Sequence, residues 1–179
     1  IDRAGHAVQH CALGTILVHP MNHDVMASCI ARMNALTEHP LLVSADIEPS
    51  IDVIVGASSF PSAMGIAATG SEEISYQVGL FKAQEARAVG INWGFTPVLD
   101  VNIDPHNPII NTRSFGDNAA QVIKVADPFL AGWRHGVGLP TAKHLPGMET
   151  PAKIPTSDAL IRKLRKSCSV PSTWPRSWR

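Results

Sequence analysis

Lysine, histidine, arginine and aspartate recur in this sequence at places where a ligand could be gripped. Lys143 and His144 stand side by side after a short apolar run. Such a pair offers donors to the hydroxyl oxygens of a sugar or to a phosphate. Its plainer reading is a solvated loop pair. Neighbours in a regular strand point to opposite faces, so both reach one ligand only where the backbone leaves strand geometry. Arg113 lies in Asn111-Thr112-Arg113-Ser114-Phe115-Gly116. Its planar fork suits vicinal hydroxyls or a carboxylate, and in a loop it serves equally as a clamp on carbonyls. Asp46 ends an apolar run, where a carboxylate accepts two sugar hydroxyls or caps the next turn. Asp100 is placed alike, but Leu99 and Val101 on either side favour a buried structural role. His6, His10, His19 and His23 lack metal-ligand spacing and an acidic partner, and we do not read them as ligands. Gly56, Gly65 and Gly70 form no phosphate-cradling loop, and no Gly-x-Ser-x-Gly elbow is present.

The elements that must carry these residues follow from pattern. Gly14 to Val18 and Leu41 to Ala45 read as buried strands. Between them, Asn22 caps a helix to Glu38 with Val25, Cys29 or Ile30, Met33 and Leu36 inward. A Ser-, Gly- and Pro-rich loop runs on to Met64. Ser71-Glu72-Glu73 opens a second helix, with Ile74, Val78, Phe81 and Ala88 as its stripe and Gly90 as its C′ residue. Ile91 to Leu99 reads as strand, and Asp100 to Gly116 as a long polar loop of the functional kind. Asp117 or Asn118 caps a third helix, with Val122, Val125, Phe129 and Trp133 inward. Pro128 inside it predicts a kink and a cost of about 3 kcal/mol unless compensated. Leu139 to Ala142 is the last strand. Alternating β and α units with apolar strands predict a parallel sheet. The candidate residues cluster after strand C-termini, where a (β/α) barrel or a doubly wound sheet keeps its site.

Composition narrows the function classes. The chain has 179 residues, 45% hydrophobic and 17% charged, a globular balance with a mean hydropathy of +0.06. No apolar run is long enough for a membrane span. Zero net charge argues against nucleic acid as the main partner. That zero is split. Residues 1–159 hold all fifteen acidic residues against nine basic ones, a balance of −6, and residues 160–179 hold six basic residues and no acidic one. Cys11, Cys29 and Cys168 are an odd set without CxxC spacing, which argues against a disulfide framework and a Cys-rich zinc site. The odd cysteines and the lack of a signal pattern fit the cytoplasm. Ile1-Asp2-Arg3, with no initiator Met, reads as the start of a chain that begins partway into a longer protein.

Five ordered motifs now converge. They are Phe60-Pro61-Ser62-Ala63-Met64, Glu85-Ala86-Arg87-Ala88-Val89-Gly90-Ile91-Asn92-Trp93 and Thr96-Pro97-Val98-Leu99-Asp100-Val101. Asn107-Pro108-Ile109-Ile110-Asn111-Thr112-Arg113-Ser114-Phe115-Gly116 and Lys143-His144-Leu145-Pro146-Gly147 complete the set. Together, from about residue 14 to 147, they resemble the N-terminal barrel domain of glycoside hydrolase family 3. That family includes β-glucosidases and β-N-acetylglucosaminidases. The resemblance implies an incomplete TIM-type (β/α) barrel over residues 1–159, roughly its first half, with parallel strands and outer helices. A whole barrel takes about 250 residues.

The resemblance also implies a retaining exo-β-glycosidase acting by a covalent two-step route, with no cofactor. Asp46, Arg113, Lys143 and His144 match the positions that grip the sugar in the −1 subsite. The Ile110-to-Gly116 loop leans towards N-acetylglucosamine over glucose. A β-linked oligosaccharide or glycoside is the implied partner, and uncovered barrel edges imply self-association. Departures from the family pattern are local. Glu48 runs into Pro49-Ser50 instead of a Gly-containing turn. No His follows Gly147 to act as acid/base, and neither Glu149 nor Asp158 is assigned to that role. The family nucleophile belongs to a later strand, so this chain alone is expected to be inactive. The basic, Ser-, Pro- and Trp-rich stretch 160–179 departs from the pattern and suits a reading-frame slip or truncated gene, or else a natural tail for an acidic partner. The competing readings are a non-catalytic carbohydrate-binding module or pseudoenzyme and, more weakly, an unrelated phosphosugar barrel.

Overall fold

A computed structural model describes residues 2–148, apart from 12, 50, 51, 137 and 146. The expected tail at 160–179, and with it Cys168, lies outside the described residues, as do Glu149 and Asp158. Helix α1 (Asp2–His10) leads into strand β1 (Thr15–Leu17), the short strand β2 (Met21–Asn22) and helix α2 (His23–Asn34). Strand β3 (Leu42–Ala45), the short strand β4 (Ile54–Val55), helix α3 (Ala63–Ala68) and helix α4 (Glu72–Ala88) follow. Strand β5 (Trp93–Gly94), a 3₁₀ turn at Asn111–Arg113, helix α5 (Ala119–His135) and strand β6 (Leu139–Pro140) complete the order.

The main sheet has the order β1-β3-β5-β6, every pair parallel, with Thr15 opposite Leu42, Ser44 opposite Trp93 and Gly94 opposite Pro140. Strands β2 and β4 form a separate parallel pair. The four-stranded sheet is open among the described residues, with half the strands of a closed eight-stranded barrel. Strand β3 is buried, as its apolar run predicts. Strand β1 is not. Thr15 and Leu17 are exposed, because only β3 flanks this edge strand.

Regular pairing in β5 is also shorter than the run from Ile91 to Leu99. The Asn92 side chain takes over part of the ladder, accepting from the Val43 N–H at 2.8 Å and donating to the Leu41 carbonyl at 2.9 Å. Beyond it, the Thr96–Pro97 peptide is cis, and pairing resumes only at a bridge from Val98 to Lys143.

The three helix starts expected from the sequence follow local chemistry. Asn22, Ser71 and Asn118 each accept a backbone N–H from the first turn. Gly90, at φ +98°, takes the left-handed C′ position after α4. Helix α5 runs unbroken through Pro128, and burial of Val122, Val125, Phe129 and Trp133 offsets the lost hydrogen bond.

Two expected apolar stripes are corrected. In α2, Met26, Ile30 and Met33 face the core while Val25 is exposed. In α4, Ile74 and Phe81 are exposed, and the buried face is Ser75, Val78, Gly79, Lys82, Ala83 and Ala86. The reason is the neighbour. Helices α4 and α5 touch backbone to backbone, so that a Cβ on Gly79 would stand 2.2 Å from the Phe129 carbonyl oxygen. A Cβ on Gly132 would stand 2.0 Å from that of Tyr76. The Ser75 hydroxyl crosses the same contact to the Val125 carbonyl at 2.7 Å.

On the far side of α4, Lys82 and Glu85 hold the loop that follows β4. Lys82 Nζ lies 3.7 Å from Asp52 and 5.4 Å from the Phe60 ring centre, and Glu85 accepts the Ser58 N–H at 2.9 Å. Burial pulls the Lys82 ammonium below the usual lysine range, with Asp52 and Glu85 pulling the other way. Cys11 and Cys29 are free thiols. No helix among the described residues is long and apolar enough to cross a membrane.

Candidate functional site

Three segments bring the candidate residues to one end of the sheet. The chain leaves β3 at Ala45. Asp46 then turns outward, its side chain 60% exposed, while Ile47 and Glu48 return to the interior. The Asp100–Gly116 loop brings Arg113 across on the 3₁₀ turn. The continuation of β6, held by the Val98 bridge and by the Lys143 N–H to the Pro97 carbonyl at 3.0 Å, delivers Lys143 and His144. The Lys143–His144 peptide is cis.

Glu48 is the centre of the arrangement. Its side chain is 2% exposed. Arg113 Nε donates to Glu48 Oε2 at 2.9 Å, and an Arg113 terminal nitrogen donates to Oε1 at 2.7 Å. Lys143 Nζ lies 2.7 Å from the same Oε1 and also donates to Asp46 Oδ1. Burial pushes the Glu48 carboxyl up, but its bonds and charges from Arg113 and Lys143 outweigh that and hold it below the usual glutamate range. The same bond to Glu48, against the cost of burial, raises Arg113 above its ordinary value. A second terminal nitrogen of Arg113 donates to the Ile109 carbonyl at 3.0 Å. The arginine is therefore both fork and loop clamp.

His144 belongs to a neighbouring unit. Its Nδ1 lies 2.8 Å from Asp100 Oδ2, and its backbone N–H donates to the same oxygen at 3.0 Å. Asp100 is fully buried, in line with its apolar neighbours, and its Oδ1 accepts the Met148 N–H. The Ser114 hydroxyl donates to the Asp100 carbonyl at 2.6 Å.

The structure thus joins Asp46, Lys143 and Arg113 through Glu48, and sets His144 beside them on a separate carboxylate. Asp46 is ion-paired to Lys143 and does not cap the following turn. Glu48 was not singled out as a site residue. The available signal is its place two residues after Asp46, just beyond the end of β3. Chemically, Lys143 and Arg113 offer donors and Asp46 offers acceptor lone pairs, the mixture that vicinal hydroxyls require because each hydroxyl both donates and accepts. Three carboxylates, Asp46, Glu48 and Asp100, stand against two fixed cations, which disfavours a phosphate. No group of three His, Cys, Asp or Glu side chains is placed to hold a metal ion among the described residues. His6 and His10 pack ring to ring at 4.5 Å, and His23 pairs with Asp24 at 3.1 Å.

Parallel strands, outer helices and a polar cluster at the strand C-termini define a protein of the TIM-barrel type. The family described as the glycosyl hydrolase family 3 N terminal domain matches residues 3–171, and the chain belongs to that family. The match extends beyond the motif-bearing stretch on both sides. The chain is 33% identical over 144 residues to a β-N-acetylglucosaminidase/β-glucosidase of Cellulomonas fimi, covering 80% of this chain and 26% of that protein. The fold is similar to native NagZ from Neisseria gonorrhoeae, with a TM-score of 0.75 and 27% identity over 83% of this chain and 46% of that one. It is also similar to the β-glucoside phosphorylase BglX, with a TM-score of 0.72 and 31% identity over 75% of this chain and 25% of that one. The chain spans about a quarter of the length of the first curated relatives it matches.

Proposed function

We propose that the protein to which this chain belongs removes terminal β-linked sugars as a retaining exo-β-glycosidase, with β-N-acetylhexosaminides favoured over β-glucosides. In that reading this chain supplies part of the sugar-binding subsite: Asp46, Lys143, Arg113 and His144. The observation that carries it is the cluster built on Glu48, where donors and an exposed carboxylate converge at the strand C-termini. Names of relatives support the glycosidase class, since the Cellulomonas fimi protein is a β-N-acetylglucosaminidase/β-glucosidase.

The division of labour follows from the chemistry. A retaining enzyme needs a nucleophile at the anomeric carbon and a group that protonates the leaving oxygen. The cluster residues grip and orient hydroxyls, and none of them is assigned either task. Lys143 and Arg113 donate to ring hydroxyl oxygens, and Asp46 accepts hydroxyl protons. Fixing the sugar this way converts part of its binding energy into orientation.

The test is to titrate N-acetylglucosamine and glucose into the 179-residue chain and to assay chromogenic β-N-acetylglucosaminide and β-glucoside, with Lys143→Ala beside it. We expect sugar binding without turnover, and binding at least about tenfold weaker in Lys143→Ala, the cost of a charged hydrogen bond. Turnover that disappears in Lys143→Ala would place a nucleophile within this chain and overturn the partial-subsite reading. Absence of any sugar binding would overturn the assignment of the four residues.

A further inference from the structure

We propose that Asp100 is a positioning residue that holds His144 in the Nδ1–H tautomer, so that Nε2 presents a lone pair and accepts a hydroxyl of the bound sugar. The ligand half of this inference rests on the proposed function, and the tautomer half does not.

The argument is a count of donors. The Asp100 side chain is fully buried and faces three nitrogens. Two are backbone N–H groups, of Met148 on Oδ1 and of His144 on Oδ2, and a backbone N–H only donates. The third is His144 Nδ1, 2.8 Å from Oδ2. A carboxylic acid gives up its proton far more readily than an imidazolium. With both oxygens already accepting, the proton between Oδ2 and Nδ1 belongs on Nδ1. In the neutral ring the other nitrogen is then an acceptor.

His144 Nε2 makes no hydrogen bond among the described residues, and the side chain is 28% exposed. Around it, Lys143 and Arg113 are donors only. Asp46 is the exposed acceptor, and one of its oxygens is taken by Lys143. A second acceptor beside Lys143 lets the site receive a hydroxyl proton at one carbon while donating to the oxygen at the next. The Ser114 hydroxyl reaches the Asp100 carbonyl, on the backbone that carries the carboxylate. Asp100 acts on the sugar only through His144.

The decisive measurement is a long-range ¹H–¹⁵N correlation spectrum of the ¹⁵N-labelled chain at pH 7.5, alone and with N-acetylglucosamine. His144 should show a protonated Nδ1 and a pyridine-like Nε2, and the Nε2 resonance should shift as sugar is added. In Asp100→Ala no acceptor faces Nδ1, so the ring should lose its preference for Nδ1–H and shift towards the Nε2–H form that a free imidazole favours, and sugar affinity should fall about tenfold. A wild-type spectrum with Nε2–H, or with both nitrogens protonated, overturns the proposal, and so does an unchanged tautomer in a folded Asp100→Ala chain. If that variant does not fold, the wild-type spectrum still decides. The expected tautomer with no response to N-acetylglucosamine would support the role of Asp100 and overturn the sugar-binding reading alone.

Discussion

Arg113 meets Glu48 with two parallel N–H···O bonds and Lys143 adds a third donor, so a carboxylate that is only 2% exposed has its charge fully answered. Removing that charge leaves two partly buried cations facing an amide. Glu48→Gln should therefore cost about 3 kcal/mol at pH 7. The sign with pH follows from the direction of the shift. A carboxyl held below its usual range stabilises the fold above the unfolded value, about 4.3, and loses that contribution as pH falls through its lower folded value. Urea midpoints measured from pH 7 down to pH 3 should show wild type and Glu48→Gln converging at the acid end. A gap that stays constant would mean that packing, not charge, is what the substitution removed. Asp46, Arg113, Lys143 and His144 were legible as candidates because motif and position after a strand mark them. Glu48 was not, because a single acid after a strand looks solvated until the cations from 65 residues onward are seen folding back over it.

Helix caps were the most legible elements, since Asn22, Ser71 and Asn118 bond within their own first turns. The buried face of α4 was the least legible. Periodicity of large apolar residues pointed to Ile74 and Phe81, whereas the real contact with α5 is built from small ones. Close approach selects for the absence of a side chain, and hydrophobicity does not register an absence. Gly132→Ala places a methyl group 2.0 Å from the Tyr76 carbonyl oxygen, against backbone that has no rotamer to change. It should cost about 3 kcal/mol, seen as a lower urea midpoint with an unchanged slope. Ala131→Gly, one position away on the same helix, should cost only about 1 kcal/mol through propensity. Equal losses at the two positions would mean that the helices do not cross where the glycines lie.

At the scale of the molecule, the described residues form an open sheet with two unlike edges. On β6, the N–H groups of Leu139, Thr141 and Lys143 point to the β5 side, so Pro140 faces outward and offers no donor. On β1, Gly14 and Val18 bond to β3, which turns the polar backbone of Thr15 and Leu17 outward, and Leu17 is 52% exposed. Nothing among the described residues covers that edge. The chain should therefore self-associate through β1, sedimenting above its 19.2 kDa in a concentration-dependent way. Leu17→Lys should return it towards the monomer, and a monomer at all concentrations would show that the edge is covered. The Asp46–Lys143 link carries one more consequence, in the time domain. Its partners lie 97 residues apart, so on a ribosome adding about 5–20 residues per second the acids emerge about 5–20 s before the lysine that pairs with them. For that interval Glu48 has no complete set of partners and stays in water. The polar end of the sheet is thus the last part to close, and a nascent chain stalled short of residue 143 would present β3 with its acidic end still hydrated.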